Sequence, residues 1–427
     1  MIAEIEALAT ADQIEVITSP ARFMTLIACR RWGKTFTTRN RIISRCLSRP
    51  NFKYMFIAPT YSQLEQEYTA LANNFGLHDF FLRKPKLKPF PQIEFFNGAC
   101  VDYRSFERPK NIRSRGYDEI CADEIQDYDE EDFRAVITPM IRDRRGSLIL
   151  CGQFRGHNWY YQDFFLPGQP GPKKHPLYKS WRFDTSRALV YQGARGQEEL
   201  EIARAQTPAH IWKVEYDCDP AANERACFPA SQIDALLTKQ EPPTIQEKNH
   251  HYIMGLDLGR VRDPSAYVVV DFETGIVVEA AKLATGTEHA EQARLAAAVQ
   301  RKWGALTVVD TTGGATGGHA KPDEYVRHYR AAIPDMRAVN WDWQNKNRMI
   351  ESLALAIEKR EFQIPEKFGG VVFELKGYEA EYRAGRWLYQ AGGGFHDDFV
   401  AAFAMANWAR KSGWAAQGGQ SLNVGLL

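Results

Sequence analysis

The sequence predicts an α/β protein of two domains. Three observations carry that expectation: 427 residues exceed one ordinary domain, short apolar β-rich runs alternate with helical patterns in the first half, and a fresh series of strands follows a polar, proline-containing passage. The first series, "MTLIAC", "KYMFIAP", "YDEICAD" and "SLILCG", reads as a mostly parallel, doubly wound sheet within residues 1–225. "LLTKQEPPTIQEKNHH" is the best linker candidate, which places a linker at 226–250. The second series opens with "HYIMGLDLG", "AYVVVDF" and "IVVEAAKL", passes through a helix from about Glu288 to Lys302, and returns to a strand at "ALTVVDT". Apolar residues then recur at helical spacing from Asn345 to Arg360 and from Asp397 to Lys411, completing a mixed α/β domain over 251–411. The tail, 412–427, is rich in Gly, Gln and Ser and is expected to be mobile.

Bulk properties narrow the function classes. A net charge of +1 denies the chain a globally basic surface, so any contact with nucleic acid has to be a local patch. The seven cysteines are scattered without CxxC spacing, which argues against a zinc site or a disulfide framework. No apolar run reaches membrane-spanning length, and Glu4 and Glu6 stand where a signal peptide would be basic. The expectation is a soluble intracellular protein.

The stretch "LIACRRWGKTFTT" follows a strand and opens a helix. That context lets Gly33 and the helix N-terminus aim backbone N–H groups at a phosphate, with Lys34 neutralising the β- and γ-phosphates and Thr35 offering its hydroxyl to Mg²⁺. The start of the loop is unusual, because Cys29, Arg30 and Arg31 stand where small residues are expected. Either arginine is placed to fold over the γ-phosphate as a finger acting within its own chain. Farther on, "EICADE" ends a β-rich run in Asp123 and Glu124, a carboxylate for the Mg²⁺ shell and a neighbour to polarise the attacking water. The two motifs together point to a nucleotide site.

The second half carries a different chemistry. Asp257 lies inside an apolar strand, where a charge is costly unless paired or metal-bound. Asp310 ends a later strand before a glycine-rich turn, and Asp397 and Asp398 begin an apolar helix. Singly these read as turn and capping acids. Together, on a first strand, a fourth strand and a late helix, they are what a ribonuclease-H-like nuclease needs to hold two Mg²⁺ or Mn²⁺ ions, with the choice between Asp397 and Asp398 open. His319 and His396 read as loop histidines. Basic candidates for DNA contact are "RKPKLKP", from Arg83, and "WDWQNKNR", from Trp341.

In combination these motifs resemble the large terminase subunit of tailed bacteriophages, the motor that packages DNA into procapsids. "ARFMTLIACRRWGKT" looks like that family's arginine-bearing Walker A loop, "YMFIAPTYSQ" like its next strand-loop motif, "EICADE" like its Walker B, and the aspartates like its nuclease. The resemblance implies a RecA/ASCE-like P-loop ATPase domain followed by the nuclease domain. It implies that Gln13 reads adenine, that Arg30, Arg31, Trp32, Gly33, Lys34 and Thr35 line the nucleotide, and that Lys346 sits near the nuclease carboxylates. "SLILCGQFRGHNWYY" falls at the coupling motif, but Cys151-Gly152-Gln153 replaces the usual Ser/Thr-Thr-Pro, leaving Gln153 as the first choice for sensing the γ-phosphate. Asp102-Tyr103-Arg104 and Arg113 to Gly116 lie where the family can place a finger offered to a neighbouring subunit. ATP with Mg²⁺, double-stranded DNA, a portal or procapsid, a small terminase subunit and a homo-oligomeric ring are the implied cofactor and partners, with no membrane. The implied location is the host cytoplasm, transiently the portal vertex, and not the mature virion. A helicase-like repair ATPase fused to a nuclease shares the first two motifs, but 251–427 supplies no second RecA-like domain. A non-catalytic prophage scaffold is opposed by the intact Lys34, Glu124, Asp257 and Asp310.

Overall fold

The computed structural model describes residues 9–73, 79–81, 83–88, 90–112, 116–155, 157–220, 226–259, 265–284, 286–310, 323–383, 386–393 and 396–413. The chain divides into two compact units, and for all but a few residues the boundary falls between Asn223 and Glu224.

In the first unit seven strands form one sheet. They are β1 (Phe23–Ala28), β2 (Lys53–Ala58), β3 (Gln92–Glu94), β4 (Cys100–Ser105), β5 (Glu119–Ala122), β6 (Ser147–Gly152) and β7 (Tyr178–Phe183), in the order β3-β4-β2-β5-β6-β1-β7. Only β3 runs antiparallel to its neighbour. The four runs read from the sequence are β1, β2, β5 and β6, the centre of this sheet. Their residues are almost entirely buried, as strands covered on both faces must be. Strand β6 lies between β1 and β5, with Leu150 paired to both Thr25 and Ala122. The loops leaving β1, β5 and β6 therefore emerge side by side at one edge.

A buried ion pair ties this sheet to its helices. Arg41, on the helix Lys34–Ser48, makes a two-pronged contact with Glu119 of β5, at 2.6 and 3.0 Å. Its remaining nitrogen donates to the carbonyls of Val16, Ile17 and Ser19, at 2.8, 2.9 and 3.1 Å, at the C-terminal end of the helix Ala11–Thr18. A guanidinium suits this place because it has five donors and cannot be discharged there. Burial raises the cost of charge on Glu119, yet Arg41, Arg45 and Ser147 together hold its pKa below the usual carboxylate range.

The second unit is built on β9 (Tyr252–Asp257), β10 (Ala266–Asp271), β11 (Val277–Lys282), β12 (Leu306–Asp310) and β13 (Arg337–Val339), ordered β11-β10-β9-β12-β13. Only β10 is antiparallel to its neighbours. The helices His289–Trp303, Trp343–Glu358 and Asp398–Lys411 lie within a residue or two of the sequence expectation. The last crosses β9 so closely that a Cβ at Gly255 would stand 1.8 Å from the carbonyl oxygen of Ala402. Small residues on that helix, Ala402 and Ala406 among them, are fully or almost fully buried. Part of the segment read as a linker is core in this unit: Phe228, Ile233 and Leu236 are buried, and β8 (Leu237–Thr238) pairs with β14 (Ile364–Pro365). Two further strands, β15 (Tyr378–Arg383) and β16 (Arg386–Ala391), form a separate ribbon. Among the described residues no helix is long and apolar enough to cross a membrane.

Candidate functional site

The first site grows from the shared edge of β1, β6 and β5. Beyond β1 the chain turns through Arg31, in the left-handed region at φ 66°, and Gly33, at φ 103°, before the helix starts at Lys34. At φ 103° Gly33 adopts a dihedral that residues with side chains rarely reach, and a Cβ there would also push aside Gln13 Nε2, 2.7 Å away. The Lys34 ammonium folds back across the turn and donates to the carbonyl of Ala28 at 2.8 Å. Trp32 is buried, stacked on Phe183 with ring centroids 4.6 Å apart, and its carbonyl accepts a 3.0 Å hydrogen bond from Gln13. Thr35 is exposed.

After β5 come Asp123 and Glu124. The N–H of Asp123 donates to the Ile57 carbonyl at 2.9 Å, fixing the carboxylate at the strand end. Asp123 Oδ1 is shielded from solvent and has no hydrogen-bond partner. Burial, then the charge of Glu124, pushes the Asp123 carboxyl up to about 8, with Lys34 opposing. A hard, orphaned carboxylate oxygen near an ammonium fits a hydrated Mg²⁺, whose charge would offset the penalty. Glu124 has a left-handed backbone, φ 49°, uncommon for a residue with a side chain. Gln153 is buried just past β6.

The two arginines of the loop differ. Arg30 is ion-paired with the buried Glu215, and its N–H also donates to the Glu215 carbonyl at 2.9 Å. Arg31 is exposed beside the turn. Gln13 uses both ends of its amide internally, on Trp32 and in a capping box with Thr10. Of the candidates for a finger to a neighbour, Arg113 lies outside the described residues. Asp102 accepts from Tyr117 and Gln92, Tyr103 is core, and Arg104 covers the Phe90 ring. Arg104 also lines a groove of about 330 Å³ with Arg83, Lys84, Lys86 and Lys88. The "RKPKLKP" run does not hang free there, because Lys86 pairs with Gln92 through two backbone hydrogen bonds.

The second site lies at the ends of β9 and β12. Leu256 and Val309 are partners, so Asp257 and Asp310 close adjacent parallel strands. The helix Asp398–Lys411, seated on Gly255, brings Asp397 and Asp398 to the same place. Asp397 stands at the N-cap position but makes no side-chain capping bond, so helix capping does not account for it. Burial, then the charges of Asp398, Asp397 and Asp310, holds Asp257 well above the usual carboxylate range, with Lys346 opposing. A crowded set of hard oxygens matches Mg²⁺ or Mn²⁺. Lys346 Nζ is 3.7 Å from Asp397. Lys282, at the end of β11, was not singled out from the sequence: it bonds Asp398 at 2.5 Å and Glu374 at 2.6 Å. Glu374 in turn accepts the Phe399 N–H at 2.7 Å, pinning the start of the helix. Nothing in a lone lysine closing "VVEAAK" signals that role. His396 is an exposed loop residue, and His319 lies outside the described residues.

These sheets and sites define a P-loop ATPase unit joined to a carboxylate nuclease unit of the ribonuclease-H type. The model of the terminase large subunit, T4-like-virus type, N-terminal part, matches residues 26–235. Large terminase subunits of Thermus virus P23-45 and Thermus phage G20c are each 25% identical to this chain over 417 residues, covering 89% of it and 83% of theirs. The large terminase of the thermophilic bacteriophage D6E has the same fold, with a TM-score of 0.57 over 93% of this chain and 98% of that one, at 13% identity. Over most of its length the chain is therefore similar to the large terminase subunits of bacteriophages.

Proposed function

We propose that this chain drives double-stranded DNA into a procapsid by hydrolysing ATP in its first unit, and cuts concatemeric DNA with its second. The observation that carries the reading is the convergence of Lys34, Asp123, Glu124 and Gln153 at one sheet edge, with an orphaned oxygen on Asp123. Lys34 exchanges the Ala28 carbonyl for the β- and γ-phosphates, and Glu124 orders the attacking water and takes its proton. Thr35 and Asp123 would hold Mg²⁺, which neutralises phosphate charge when bound. Gln13 lies on the adenine side, and Gln153 reads the γ-phosphate end.

In the second unit Asp257, Asp310 and the Asp397–Asp398 pair would hold two divalent ions, whose chemistry when bound is to activate water and stabilise the leaving oxygen. Lys282 keeps Asp398 in place and restrains its charge. Lys346 sits where a scissile phosphate would need a cation. DNA phosphates are met by the groove of Arg83, Lys84, Lys86, Lys88 and Arg104, an electrostatic contact that carries no sequence preference. The portal, a small terminase subunit and further copies in a ring complete the motor.

The test assays ATP hydrolysis and Mn²⁺-supported plasmid cleavage on the same preparations. Lys34→Ala should lose hydrolysis and keep cleavage, while Asp257→Ala should do the reverse. Wild-type cutting by Asp257→Ala, with a clean control for contaminating nuclease, would sink the second assignment.

A further inference from the structure

Two residues past Glu124, Gln126 spans the gap between that carboxylate and the end of β6. Its Nε2 donates to Glu124 Oε2 at 2.6 Å, and its Oε1 accepts the N–H of Gln153 at 3.0 Å. The orientation of the amide is fixed by its partners. Turned over, it would set its oxygen against a carboxylate and its NH₂ against a backbone N–H, losing both bonds.

The surroundings are built around this bridge. A Cβ at residue 152 would fall 2.2 Å from Gln126 Oε1, so Gly152 leaves the room that the amide occupies. The turn Ile125–Asp127 that presents Gln126 is anchored by the fully buried Ile125. The Gln153 carbonyl is held in turn by the hydroxyl of the buried Tyr160, at 2.7 Å. Glu124 itself keeps a left-handed backbone, a conformation that persists only where neighbours over-determine it.

We propose that Gln126 is the positioning residue of the hydrolysis reaction, orienting the Glu124 carboxylate and linking it to the backbone of Gln153. This rests on the reading of Glu124 as the catalytic base. It also gives the departure in the coupling motif a physical sense: in Cys151-Gly152-Gln153 the backbone N–H of residue 153 and the bare α-carbon of residue 152 serve the bridge. A shift of β6's end on nucleotide binding reaches Glu124 through one amide.

Two substitutions in the full-length chain separate positioning from scaffolding. Gln126→Met is similar in length and lacks both polar ends. Gln126→Glu keeps the acceptor for the Gln153 N–H and loses the donor to Glu124. Both should lower kcat for ATP by roughly 10- to 100-fold, the scale set by small misplacements of a catalytic group. KM and the affinity for a fluorescent ATP analogue should stay within about twofold. Wild-type kcat in Gln126→Glu, or a loss of analogue affinity in both variants, would make the bridge a strand brace and overturn the proposal. Glu124→Ala is measured alongside: if it turns over ATP normally, the base assignment falls and the positioning role with it. If it is inactive while Gln126→Glu is normal, only the positioning role is removed.

Discussion

Gly255→Ala is a one-methyl change that should reach the nuclease carboxylates through packing alone. The added Cβ would stand 1.8 Å from the Ala402 carbonyl oxygen and 2.8 Å from its carbon, both backbone atoms of the helix that carries Asp398. An ordinary contact needs about 3.4 Å, so helix and strand must part by roughly 1.6 Å. Overpacking costs about 1–3 kcal/mol, and a backbone neighbour that cannot rotate away puts this case at the upper end. About 3 kcal/mol corresponds to a fall of roughly 6–12 °C in the melting of a unit this size. The same displacement moves Asp397 and Asp398 away from Asp257, and a misplacement of about 1 Å can cost on the order of 100-fold in rate. Differential scanning calorimetry of the full chain and plasmid cleavage with Mn²⁺ would be measured together. A melting point within about 2 °C of wild type, with undiminished cleavage, would show that the close approach at Gly255 does not set the carboxylate geometry.

Arg31→Ala should slow ATP hydrolysis by about 10³-fold or more without altering stability if Arg31 is the finger, whereas Arg30→Ala should lower thermal stability by stranding the buried Glu215; ATPase rates and melting curves of both variants decide between them. Glu119→Gln removes the anionic partner of a buried guanidinium and should destabilise the first unit by about 3–5 kcal/mol in urea titrations. Because the folded pKa of Glu119 lies below its unfolded value, its contribution is fully present above the unfolded pKa and drains away as pH falls through the folded one. The gap between wild type and Glu119→Gln should therefore close in acid, and a pH-independent gap would contradict the sign.

The parts of the fold that showed in the sequence are those whose burial leaves a run of apolar letters. β1, β2, β5 and β6 are covered on both faces and read as strands at once. β7 and β4 did not, because "YKSWRF" and "CVDYRS" mix exposed or partly exposed Lys179, Arg182 and Arg104 into the strand. Phe228, Ile233 and Leu236 were hidden by the prolines and charges that follow them, although all three are core. At the proposed sites the chemically distinctive candidates stand out in the sequence: Lys34 after a strand, Asp123-Glu124 at a strand end, Asp257 amid apolar neighbours. The residues that touch these candidates or their partners do not. Gln126, Lys282 and Glu374 are ordinary surface letters until folding places Gln126 against Glu124, Lys282 against Asp398, and Glu374 against Lys282 and the Phe399 N–H.

The Arg41 cluster sets a rule for cutting this protein into pieces. A fragment of the ATPase unit begun at β1 would look complete, since it keeps every strand of the sheet and the whole phosphate turn. It would nonetheless strip Arg41 of the Val16, Ile17 and Ser19 carbonyls and open a guanidinium in the middle of the core to water on one side. Expression boundaries for that unit should accordingly start ahead of Thr10, whose side chain caps the helix that supplies those carbonyls. Tags belong farther upstream still.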